Sequence, residues 1–147
     1  GVTRGTQVPA RWIDQGAVQA IPILELPNRY LAGITEVALK NNYADKTNWQ
    51  KMLKNEVPQV DLIQERLKAG NFLPDEVRDY YAENNSHLYE FHYPVLTYPK
   101  KVTSLSLDKT PLFQGKLSGI KGQYLLFQDG TVFNVRTFEG YVVKISL

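Results

Sequence analysis

The stretch GQYLLFQDGTVFNV, residues 122–135, constrains this chain more than any other. Asp129-Gly130 sits between two apolar runs, and Asp-Gly is a preferred pair for a two-residue type I′ turn, in which both central residues need positive φ. Such a turn predicts a hairpin with Gln128 opposite Thr131, Phe127 opposite Val132, Leu126 opposite Phe133, Leu125 opposite Asn134, Tyr124 opposite Val135 and Gln123 opposite Arg136. Alternation then gives Tyr124, Leu126, Phe133 and Val135 a core-facing side. The other side carries Leu125, Phe127 and Val132 and turns polar at Gln123, Asn134 and Arg136. Those three polar residues, with Lys121 nearby, are candidate contacts to a phosphate or a base edge. A sheet with one wet face is the plainer reading.

The segments around the hairpin have the same character. KVTSLSL, LFQGKLSG and YVVKISL are short strand patterns separated by turn signals. The last would place Tyr141, Val143, Ile145 and Leu147 on one side. Together they predict a small antiparallel sheet or barrel over residues 86–147. Before Ser86 the chain reads as an αβ part followed by a helical middle. A short helix is expected within Gln7–Gln15, with Pro9 in its first turn and Gly16 past its end. Gly1 to Thr3 reads as the tail of a strand, and Ala17–Leu26 as a strand with an edge or bulge at Pro22. Asn28 should cap a helix running to about Lys40, with Tyr30, Ile34, Val37 and Ala38 as its buried stripe. Thr47 or Asp45 would cap a third helix with Trp49, Met52 and Leu53 inward. Val60–Ala69, closed by Gly70, is a fourth helix. A fifth starts at Pro74 and ends near Asn84-Asn85. The expected class is α+β: an αβ unit over residues 1–58, a helical segment over 59–85, and the β-domain.

Composition narrows the function classes. The chain has 147 residues, 43% of them apolar, enough for a real core. It has no Cys, which excludes disulfides and thiolate metal sites in this stretch. No run approaches the roughly 18 apolar residues of a membrane span, and no signal-peptide pattern opens the chain. A cytoplasmic location is the default, with nucleic acid or another protein, not a membrane, as partner. The net charge of +2 conceals two mildly basic ends, +2 over residues 1–58 and +4 over 99–147, around a middle of −4. A basic end attracts phosphate backbones, although a mixed-sign solvated surface gives the same sums.

The helix over Asn28–Lys40 carries the other candidate constellation. Arg29, Ala32, Gly33, Glu36 and Lys40 share a face at three- and four-residue steps. The small pair leaves a shallow place just N-terminal to Glu36. One carboxylate beside open space, with arginines near, is what a one-metal phosphodiester site uses: Glu36 on Mg²⁺ or Mn²⁺, Arg11 and Arg4 on the phosphate. The plainer reading is a Glu36–Lys40 ion pair on a solvated face. Trp12, beside Arg11, is a packing residue or a stacking platform for a base. His87 and His92 with Glu90 make a poor joint metal site, because His87 would lie on the opposite strand face.

Two resemblances bear on these residues. The order of a Gly-x-Thr strand end at Gly1, Arg11 on a short helix, a strand, and a helix bearing Glu36 resembles the second half of the GIY-YIG nuclease superfamily. The resemblance implies a small sheet with flanking helices and metal-dependent phosphodiester cleavage. In it Gly1 matches the Gly of the second strand motif, Arg11 the catalytic Arg and Glu36 the metal ligand. Asn48, in DKTNW, resembles a downstream Asn element. The tyrosines of that family's two strands would precede Gly1, so this chain alone is expected to be inactive. Longer segments, VTRGTQVPARWIDQGA, NRYLAGITEVALK, DKTNW and GIKGQYLLFQDGTVFNVR, resemble an uncharacterised bacterial family of domain-of-unknown-function type. Its full-length members carry a Cys-containing segment of zinc-binding type upstream. That resemblance implies a C-terminal fragment and assigns no activity.

The combined expectation is a nucleic-acid-associated protein. It is either a metal-dependent phosphodiesterase of GIY-YIG type using Arg11, Glu36 and Arg4, or a non-catalytic RNA-binding or protein-interaction module. The candidate nucleic-acid contacts are Trp12, Arg29, Asn48, Lys121, Gln123, Asn134 and Arg136.

Overall fold

The structure is a computed structural model that describes residues 1–81 and 87–146. Its class is α+β. Side-chain caps start three of the four described α-helices. Asn28 caps α2 (Arg29–Lys40), its side chain accepting the Leu31 N–H at 3.0 Å. Asn48, rather than Thr47 or Asp45, caps α3 (Trp49–Leu53) by accepting the Lys51 N–H. Asp61 caps α4 (Leu62–Gly70) through the Ile63 and Gln64 N–H groups. The short α1 (Ala10–Asp14) has no side-chain cap and stops before Gly16, whose φ of +72° suits glycine. A Cβ at Gly16 would also collide with the Met52 sulfur. A 3-10 helix, Asp75–Tyr80, stands where a fifth α-helix is expected. The expected end of that helix, at Asn84-Asn85, lies outside the described residues.

Three expectations for the front of the chain are corrected. The buried face of α2 centres on Thr35, whose hydroxyl donates to the Leu31 carbonyl, while Tyr30 and Val37 are 72% and 65% exposed. The helix packs on the 3-10 helix, and only part of its apolar stripe, including Ile34 and Ala38, is covered. The Ala17–Leu26 run contributes only a two-residue strand, β1 (Gln19–Ala20), paired antiparallel with β2 (Tyr89–Glu90). Beyond it Pro22 has no N–H for a ladder. The Pro22 and Ile23 carbonyls accept instead from the guanidinium of Arg66, at 2.9 and 3.4 Å. Gly1 to Thr3 forms no strand.

The larger sheet contains β3 (Thr103–Ser104), β4 (Leu117–Lys121), β5 (Tyr124–Phe127) and β6 (Thr131–Asn134), in the order β3-β6-β5-β4. It is open, not a barrel, and β3 runs parallel to β6. Residues 94–96 line the outer edge of β4. There the Leu96 N–H donates to the Ser118 carbonyl and the Ile120 N–H to that of Pro94. The backbones meet at Gly119, where a Cβ would fall on the Val95 main chain.

The expected hairpin forms one residue out of register. Leu126 pairs with Val132, Leu125 with Phe133 and Tyr124 with Asn134. The loop has three residues because Gly130 alone takes a positive φ, +86°, while its N–H closes a turn on the Phe127 carbonyl at 3.0 Å. This is a tight turn followed by a left-handed glycine bulge. The Asp129 carboxylate holds it, accepting the Thr131 N–H at 2.8 Å and the Thr131 hydroxyl at 3.0 Å. The slip exchanges faces: Val132 joins Leu126 in the core, and Phe133 moves to the opposite side, stacked on Phe138. The strand then ends at Asn134, whose side chain caps a 3-10 helix, Val135–Phe138. That turn carries the chain off the sheet, so residues 141–146 form no strand and are exposed; Leu147 lies outside the described residues.

Leu53, Leu126 and Val132 are fully buried together, with Trp49, Met52, Val95, Tyr98, Val102 and Tyr124 packed around them. Trp49, Met52 and Leu53 do face inward, and Trp49 lies nearly parallel to Tyr124 at 6.1 Å. The sheet therefore shares its core with α3.

Candidate binding sites flanking the Gly122-Gln123 turn

Strands β4 and β5 are joined by the two-residue turn Gly122-Gln123, with Lys121 opposite Tyr124. Gly122 has φ +58° and Gln123 is not in the positive region, the pattern of a II′ hairpin turn. The Asp14 carbonyl, at the end of α1, lies where a Gly122 Cβ would be, so only glycine lets the turn dock there. This clamp fixes Gln123 on the wall of one concavity and Lys121 behind residues that line another.

Lys121 is 1% exposed. Its Nζ donates to Asn55 Oδ1 at 2.8 Å and lies 5.0 and 5.4 Å from the ring centroids of Tyr98 and Tyr93. No carboxylate pairs with it among the described residues. Burial pushes its pKa below the usual 10.5. Tyr93 is pushed up to about 12, by burial first and then by the charges of Tyr98 and Asp14. Its hydroxyl donates to the carbonyls of Ala17 and Ile13 at 2.8 and 3.2 Å, which fixes the ring over the ammonium. Burial also raises the pKa of Tyr98. Asn55 follows α3 in the left-handed region, φ +57°, a conformation Asn tolerates. Asn55, Tyr93 and Tyr98 line a concavity of about 600 Å³, with Glu90, His92 and Val57 among its other walls.

The second concavity, about 770 Å³, lies beyond the turn. Gln123 and Arg136 line it with Tyr124, Phe138 and Tyr141, and Asp14 and Glu139 also contribute; the Tyr124 ring itself turns to the core, against Trp49. Phe138 stacks on Phe133 and meets Tyr141 edge-on, each at 5.3 Å between ring centroids. Asp108 accepts the Tyr141 hydroxyl at 2.8 Å and raises its pKa. The Arg136 side chain has no ion-pair or hydrogen-bond partner among the described residues.

The structure brings together Gln123 and Arg136 and separates the remaining sequence candidates. Lys121 is sealed in the interior instead of standing beside them on the surface. Asn48 and Asn134 spend their side chains as helix caps. Trp12 packs against Tyr89 and Phe91, at 5.1 and 6.4 Å between centroids. Arg4, Arg11 and Arg29 are exposed and Glu36 is half-buried. None of these four charged side chains makes a hydrogen bond or ion pair among the described residues, and none lines either concavity. Lys40 pairs with Asp45 at 3.1 Å instead of Glu36, and that pair holds the Asp45 carboxyl below its usual value. His87 packs edge-on against Tyr89, and no three His, Asp or Glu side chains gather for a metal ion among the described residues. Sequence reasoning missed Asn55, Tyr93 and Tyr98. The one local signal was an Asn just past a helix end, a usual left-handed position.

These features define an α+β chain with two concavities, one whose walls cover a buried lysine and one lined by aromatic residues and an arginine without a partner among the described residues. The chain belongs to the family described as protein of unknown function (DUF2797), whose model matches residues 1–143. No curated protein and no solved structure matches it. No described helix is long and apolar enough to cross a membrane.

Proposed function

We propose that the chain is a non-catalytic binding module for single-stranded nucleic acid, RNA in the first instance, with the Gln123–Arg136 concavity as its recognition surface. One observation carries the reading: an unpaired guanidinium and an amide share a hollow with the aromatic residues Phe138 and Tyr141. Rings give every base a face to stack on, and arginine neutralises the backbone between bases. Asp14 and Glu139 on the same walls favour bases over bare phosphate, because a carboxylate accepts from a base amino group. The surplus of cations over residues 99–147 has the sign the reading requires.

Fluorescence anisotropy with a labelled single-stranded RNA tests it. Binding should weaken as salt rises, and Arg136→Ala should cost about fivefold in affinity while Glu36→Ala costs nothing. Absence of binding at low salt would remove the nucleic-acid reading and leave a protein-interaction role.

A phosphodiesterase of GIY-YIG type is the second reading. It is favoured by Gly33, where a Cβ would meet nothing within 4 Å, one turn before an unengaged Glu36 carboxylate. Mg²⁺ or Mn²⁺ there would rest on Glu36, at most one neighbouring carboxylate, and the substrate's own phosphate, as Mg²⁺ sites often do. Purified protein that leaves DNA and RNA intact with either metal, and loses nothing on Glu36→Ala, ends this reading.

A further inference from the structure

We propose that Lys121 and Tyr98 form the anion-binding end of a second site, for a small phosphomonoester with a flat apolar body, and that the anion displaces the Asn55 amide from Lys121. A lysine ammonium this deeply buried ordinarily has a carboxylate partner. Here the one hydrogen-bond partner is the neutral Asn55 amide, and two tyrosine faces stand in for the rest. An ammonium has three donors, and the amide uses one. The Tyr98 hydroxyl makes no hydrogen bond among the described residues, and neither does His92 on the same wall. Unspent donors of this kind, behind one hollow, suit an anion with several acceptor oxygens.

The walls above them fit the rest of such a ligand. Val18, Val57, Pro58 and Val60 supply apolar surface for a flat body. Glu90, a carboxylate on the same walls, is engaged by Gln19 at 3.0 Å. Phosphate fits better than carboxylate because it brings three oxygens and close to two charges. Asn55 is the movable part. It is exposed and lies in an irregular stretch after α3, so its amide can yield Nζ to the incoming oxygen. The competing account is a lysine that only pegs β4 to α3 through Asn55. The two accounts differ in sign for one variant. Asn55→Gly keeps the left-handed backbone unstrained and removes the amide that competes for Nζ.

The test is a titration of the isotopically labelled chain with phenyl phosphate, inorganic phosphate and benzoate, read by amide chemical shifts. Phenyl phosphate should give saturable shifts at residues 55, 93, 98 and 121, with inorganic phosphate weaker at the same residues and benzoate weaker still. Asn55→Gly should bind phenyl phosphate roughly fivefold to tenfold more tightly, and Tyr98→Phe several-fold less tightly. Lys121→Met should abolish binding; if that variant does not fold, the first two decide. Arg136→Ala should change nothing, which separates this site from the nucleic-acid surface. No saturable shift, unchanged or weaker binding in Asn55→Gly, or benzoate equal to phenyl phosphate would each overturn the proposal.

Discussion

The two cationic regions of the molecule are built in opposite ways. At the front, Arg4, Arg11 and Arg29 stand in solvent and Glu36 is half-covered, none with a partner among the described residues. At the sheet, Lys121 is sealed under two tyrosines and an asparagine; on α4, Arg66, likewise buried at 3% exposure, is held by backbone carbonyls and the Tyr81 ring. Solvated charges are screened and cost the fold little, while buried ones must be held by geometry. Position in the fold, more than residue type, therefore separates a surface charge from a built site.

Three measurements bear on that contrast. The largest effect should come from the core on which the Lys121 region stands: Leu126→Ala should cost about 3 kcal/mol in urea unfolding. A cost below half of that would mean the sheet and α3 are loosely packed, and the buried-lysine geometry would lose its frame. Next, Lys121→Met should stabilise the chain by about 1 kcal/mol at neutral pH, because it removes a buried charge that no carboxylate offsets. Below the lowered pKa of Lys121 both folded and unfolded chains keep the proton, and burial carries its full cost. As pH rises through that value toward 10.5 the folded chain sheds its proton first. Wild-type stability should climb there relative to Lys121→Met, and the advantage of the variant should shrink. A pH-independent difference would place the amine in solvent. The smallest effects belong to the front: Arg11→Ala and Glu36→Ala should each change stability by less than about 0.5 kcal/mol, and the double variant by their sum. Non-additivity would show the two groups interacting, and would revive the joint Glu36–Arg11 site that the sequence suggested.

What the sequence disclosed follows the range of each interaction. The Asn28 cap and the end of α1 at Gly16 are decided within a few residues, and both are as expected. The hairpin was legible, but its register was not, because the choice between a two- and a three-residue loop turned on the Asp129 carboxylate reaching Thr131. The exposed face of α2 was misread since apolar spacing says which residues are able to be covered, not whether a neighbour covers them. Lys121 escaped for the same reason. Its partners arrive from Asn55, 66 positions away, and from the 93–98 segment laid along the sheet edge. A lysine before a Gly-Gln turn looks like a surface residue until those pieces close over it.

Arg66 has a protective consequence as well as a structural one. The run Ala17–Leu26 is apolar, prone to extended conformation and mostly outside any ladder, the kind of segment that recruits a matching strand from another molecule. With the guanidinium occupying the Pro22 and Ile23 acceptors, and proline supplying no donor, two consecutive positions of that template are blocked. Self-association of the chain is thereby opposed at the stretch where it would otherwise be easiest to begin.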